Sequence, residues 1–141
     1  MKRDVYSGYL RLFGEDEKRT IIAANNYAWA LMGLNRFNEA KSLLLKTTPV
    51  ARRILGDRHY LTLMMRMNYA EALYKDASAT LSGLREAVTT LEDAERIARR
   101  VFGSAHPHTA GAGRDLERSR AVLQLVLRRR AIRRASETPV A

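Results

Sequence analysis

Apolar residues recur every three to four positions along most of the chain, the signature of helices with one buried face. Between 20 and 33 they are Ile21, Ala24, Tyr27, Ala28 and Leu31. Asn35 and Arg36 interrupt the pattern, and asparagine tolerates the left-handed conformation of a tight turn. A second helix is predicted from about 37 to 55. Pro49 lies inside it and cannot donate a helical hydrogen bond, so either a kink or a fresh start at Thr48 is expected. The next pair is predicted at about 61–75 and 84–102, the latter with a stripe of Leu84, Ala87, Val88, Leu91, Ala94 and Ala98. A last helix is predicted from about 109 through the apolar run 122–127 to about 134, and 135–141 reads as a frayed tail. The pattern predicts an all-α chain of antiparallel helix hairpins.

These elements repeat. Phe13-Gly14, Leu55-Gly56 and Phe102-Gly103 are each followed, six positions after the glycine, by a threonine: Thr20, Thr62 and Thr109. Gly14 and Gly56 stand 42 residues apart, Gly56 and Gly103 47 apart. The five extra residues fall within 76–83, inside a hairpin turn, where added length is well tolerated. The register holds beyond the threonines. Asn26-Tyr27-Ala28 matches Asn68-Tyr69-Ala70, and the segment from Ala51 to Gly56 matches that from Ala98 to Gly103. The three glycines suit a left-handed residue just past a helix end, and the arginines before them suit its negative pole. The division that follows is 14–55 for one repeat, 56–102 for a second and 103–134 for a partial third ending in a basic capping helix. Residues 1–13 take the place of the second helix of a preceding unit, and 135–141 form the tail. Small Ala28, Ala40, Ala70 and Ala87 would let helices approach, with Tyr27, Phe37, Leu44, Tyr69 and Leu91 filling the space between them.

The loop Gly103-Ser104-Ala105-His106-Pro107-His108-Thr109, the first-helix signature Asn25-Asn26-Tyr27-Ala28 and the second-helix start Phe37-Asn38-Glu39-Ala40, echoed by Leu84-Arg85-Glu86-Ala87, carry a resemblance. Together they resemble the 42-residue tetratricopeptide repeat of the kinesin light chain type. The resemblance covers roughly 12–123. It implies a short right-handed α-solenoid whose first helices line a concave groove for a peptide or partner helix. It also implies that Asn26 and Asn68 hydrogen-bond an extended guest backbone. Helical spacing adds Asn25, Trp29, Met64, Met67, Glu71, Tyr74, Arg114 and Arg118 to that face. The chain departs from the pattern at Asn35, where a turn glycine is usual. It departs again at Glu117, which replaces the small residue seen as Ala28 and Ala70, so the last helix is expected to present a more polar face.

Composition sharpens this picture. The net charge is +10, and from Gly111 onward eight arginines face three acids, so half of the excess lies at one end. Arg128, Arg129, Arg130, Arg133 and Arg134 form a basic patch suited to an acidic partner or to non-specific nucleic-acid or anionic-lipid contact. No aromatic residue stands among them to stack on bases. No cysteine is present, which excludes disulfides and thiolate metal sites. No apolar run is long enough to span a bilayer and the first residues lack a signal-peptide core, so a cytoplasmic or nuclear setting is expected. His59, His106 and His108 lie in the repeat loops without a ligand pattern around them and read as structural; no metal is expected. No phosphate loop, nucleophile elbow or zinc-protease motif occurs. The expectation is a protein-interaction scaffold without catalytic activity or cofactor, with unpaired stacking faces that would permit self-association; the alternatives are a basic surface binder through the terminal arginines and a purely structural fragment of a longer repeat array.

Overall fold

A computed structural model describes residues 1–138. Its six helices are α1 (Lys2–Phe13), α2 (Lys18–Gly33), α3 (Phe37–Leu55), α4 (Tyr60–Lys75), α5 (Leu81–Phe102) and α6 (Pro107–Glu137). Each helix packs on the next in the chain, and α4 also touches α2 and α6. The first helices of successive hairpins therefore lie side by side, while α3 and α5 back them. The fold is all-helical, a stack of helix hairpins.

The alanines set the spacing. Ala28, Ala40, Ala51, Ala70, Ala72, Ala87 and Ala94 are wholly buried and Leu44, Met65, Leu84 and Leu91 fill the volume between them. Tyr27, Phe37 and Tyr69 sit half-buried at the margins of these clusters. The central helix, α4, is buried nearly all round; only Tyr60 and Lys75 are exposed.

The three glycine corners are equivalent. Gly14, Gly56 and Gly103 have φ of 80°, 92° and 90° with ψ of 174°, 162° and 163°. The positive φ fits the expectation of glycine, but ψ is extended rather than helical. This is a region that side-chain-bearing residues rarely enter, so the corner selects glycine more strongly than an ordinary left-handed cap would. Asn35 takes φ 59°, the left-handed turn expected of it.

Three boundaries differ from the sequence pattern. α3 runs unbroken through Pro49, which lies on an exposed flank where its missing N–H leaves no buried gap. α5 begins at Leu81 rather than 84, because Thr80 Oγ1 accepts the Gly83 N–H at 3.0 Å and caps the helix early. α6 continues as one helix through Arg128–Arg134 to Glu137; of the expected tail, 139–141 lie outside the described residues.

Candidate functional site

Two inter-helix hydrogen bonds tie together the face made by α2, α4 and α6. Asn68 Nδ2 donates to Asn25 Oδ1 at 2.8 Å between α2 and α4. Tyr74 Oη donates to Asp115 Oδ1 at 3.2 Å between α4 and α6. Asn68 and Tyr74 are both about 95% buried, at 5% exposure each. α2, α4 and α6 therefore form one pre-assembled surface.

The face is uneven. Trp29 on α2 stands 68% exposed. It lines a surface pocket of about 640 Å³, part of it open to solvent, together with Met32, Asn35 and Phe37 on one side and Glu71 and Lys75 of α4 on the other. Glu71 and Lys75 pair one turn apart on α4. Across α4 the surface turns charged: Asp115 lies 3.9 Å from Arg118, and Arg114 is exposed. Burial, with Glu71 adding to it, pushes the Asp115 carboxyl above its usual range, although Tyr74, Arg118 and Lys75 oppose the shift. Burial likewise pushes the Tyr74 phenol far up, so it stays a hydrogen-bond donor at any ordinary pH.

The expected site residues are thus sorted by depth. Asn26 and Trp29 stand in solvent, Asn25, Met64 and Glu71 are half-buried, and Arg114 and Arg118 are exposed. Met67 and Tyr74 belong to the core between α4, α5 and α6. Asn68 spends its amide on Asn25 rather than presenting it to a guest; the residue at the matching position, Asn26, has no such bond and is open. Lys75 and Asp115 join the face without having been singled out. Their places follow from the i, i+4 step after Glu71 and from the reach of Tyr74, and only the second needs three dimensions.

The histidines have a defined job. His59 Nδ1 accepts the Leu61 N–H and His106 Nδ1 accepts the His108 N–H, each at 3.1 Å, so both cap helix starts, of α4 and α6. Among the described residues no group of three His, Asp or Glu side chains could hold a metal, and no helix is long and apolar enough to cross a membrane. The basic residues Arg128, Arg129, Arg130, Arg133 and Arg134 are all exposed on α6.

Residues 20–60 of the chain match the tetratricopeptide repeat family, a repeat class that mediates protein–protein interaction. The matched stretch is the hairpin α2–α3 and the corner after it. No match was found among curated proteins. The stacked helix hairpins are consistent with the fold of that repeat.

Proposed function

We propose that the chain is a non-catalytic scaffold of the kinesin light chain-like repeat type, with repeats at 14–55 and 56–102 and a partial third at 103–134. In this reading its α2–α4–α6 face is a groove that takes a peptide or partner helix. The observation that carries this is Trp29. A large aromatic side chain left 68% exposed on an otherwise well-buried helix gains nothing for the fold, yet suits a binding anchor. The cavity beside it offers the Glu71–Lys75 pair as polar rim and Met32 as an adaptable apolar wall. Asn26 supplies the open amide for a guest backbone.

The test is peptide display selection against the intact chain, followed by affinity measurement on Trp29→Ala. Loss of a central anchor of this kind costs about 2 kcal/mol or more, which is roughly thirtyfold in Kd. Selected peptides that bind Trp29→Ala as well as the parent chain would remove the groove reading.

A second reading has its own observation. The five arginines at 128–134 are exposed, and none has an ion-pair partner among the described residues. They fit an acidic partner surface. Replacing all five with glutamine would abolish such binding and leave groove peptides unaffected.

A further inference from the structure

A second pocket, of about 580 Å³ with part of it open to solvent, lies between α3 and α5 with α4 as its floor. Arg66 and Tyr69 line it from α4. At 100° per residue these two sit on the opposite side of α4 from Glu71 and Lys75, so this pocket is separate from the Trp29 face.

Arg66 is the anomaly. The repeat register aligns it with Ala24 and Gly113, so the stack asks for a small residue here and repeat two supplies a guanidinium. Its side chain is only 12% exposed. Nη2 donates to Asp93 at 2.6 Å, but Nη1 is buried with no acceptor. Asp93 is moreover shared with Arg96, so Arg66 is incompletely neutralised. A second orphan belongs to a residue that lines the same pocket from α3: Thr48 Oγ1, also buried and without a partner. Two unmet hydrogen-bonding groups on one cavity are costly unless something comes to meet them. Leu44, Leu45 and Pro49 make the apolar part of the wall, and Arg52, Glu86 and Thr90 complete it with polar groups.

We propose that this pocket binds a single carboxylate carried on a short aliphatic stem. One carboxylate oxygen accepts from Arg66 Nη1 after a small turn of the guanidinium about its Asp93 bond. The other accepts from the Thr48 hydroxyl once that side chain turns toward the pocket, and the stem lies against Leu45 and Pro49. A monoanion fits better than a phosphate dianion. Glu86 stands on the rim, holding the Tyr69 hydroxyl at 3.0 Å, and Arg52 is already committed to Asp57 at 2.6 Å. Arg66 and Arg96 share the single charge of Asp93, which leaves a local excess of about one beside the Arg66 guanidinium, and Glu86 at the rim offsets it further out, so a second negative charge on the guest would meet no counter-charge. The carboxylate could come from a free small acid or from a peptide C-terminus.

The test is an NMR titration of the intact chain with isovalerate, isovaleramide, and an N-acetylated tripeptide ending in leucine, with its terminus free or amidated. A ligand this small belongs in the millimolar range. The expected result is that the acids, and not the amides, shift Thr48, Tyr69 and the Arg66 Nε–H. Isovalerate binding alone identifies a free acid as the source; peptide binding alone identifies a chain terminus. Thr48→Val, which removes only an unpartnered hydroxyl, should leave the fold intact and weaken binding about three- to tenfold. Arg66→Met should abolish binding. Shifts that are equal for acid and amide, that map to Arg128–Arg134, or that survive Thr48→Val unchanged overturn the proposal.

Discussion

The two histidine caps make the sharpest stability prediction. His59→Ala and His106→Ala each delete an Nδ1 acceptor that meets a helix N–H at 3.1 Å. Loss of such a cap costs about 1 kcal/mol. Each ring also packs on an aromatic neighbour, His59 on Tyr60 at 4.9 Å and His106 on Phe102 at 4.6 Å, which adds about 0.5–1 kcal/mol. Each single variant should therefore lose about 1.5–2 kcal/mol. The double variant should lose close to the sum, since the two caps serve different helices. Urea unfolding followed by far-ultraviolet circular dichroism at pH 7.5 measures this, and His59→Asn, which keeps a capping acceptor, is the control. Capping also requires an unprotonated Nδ1. Burial first, and the Lys18 charge second, hold the His59 pKa below its ordinary value. The unfolded chain thus binds this proton more readily than the folded one. The contribution is complete above about pH 6.5 and is lost as the pH falls through the lower folded value. His59→Ala should flatten the stability profile in that window. The reasoning fails if His59→Ala and His59→Asn are equally destabilised, or if the parent loses no more stability across that window than His59→Ala does.

Three further perturbations probe other parts of the stack. Asn68→Ala should cost about 1–3 kcal/mol by stranding the Asn25 carbonyl, and adding Asn25→Ala should cost less than the separate losses predict, as measured by a double-mutant cycle in urea. Gly103→Ala should cost about 1–3 kcal/mol through backbone strain alone, because a Cβ there meets nothing within 4 Å; an unchanged midpoint would mean the corner relaxes freely. Leu91→Ala, at a site with no exposure, should cost about 2–5 kcal/mol, whereas Trp29→Ala should stay within about 0.5 kcal/mol; a large loss at Trp29 would mark it as part of the fold.

Much of the architecture was legible because it is repeated. Gly14, Gly56 and Gly103 recur in one register, and a backbone conformation open to glycine alone leaves that mark on any sequence that adopts it. The buried alanines were legible for the same reason: close approach of helices accepts no substitute at Ala28 or Ala70. Depth on the α2–α4–α6 face was less legible. Asn26 and Asn68 occupy matching positions, yet only Asn68 is buried, because α4 has a neighbour on both sides. Helical spacing reports direction and says nothing of how many helices crowd that direction. The histidine caps left a trace that sequence alone reads poorly: His59 and His106 each stand three residues after a corner glycine, but imidazole is not among the usual capping side chains. Arg66 was silent until its register partners, Ala24 and Gly113, could be set beside its burial.

The two sides of α6 differ sharply in character. On α4, a helix with neighbours on both sides, only two residues are exposed, whereas the first part of α6 exposes Arg114, Glu117, Arg118, Arg120 and Gln124. Packing a further hairpin on that surface would have to desolvate several charges, and each unpaired one would cost several kcal/mol. Glu117 is the telling position, since the repeat register places it with Ala28 and Ala70, which are wholly buried. A glutamate there prevents the close approach that those alanines allow. The same helix still contributes Leu116, Val122, Leu123 and Val126 to the core it shares with α5. α6 therefore has one face that completes the core and another that is charged and exposed. Head-to-tail growth through this surface needs two complementary apolar ends, and α6 offers none at Glu117. Reverting Glu117→Ala should on this argument leave the folded chain intact while making its sedimentation concentration-dependent.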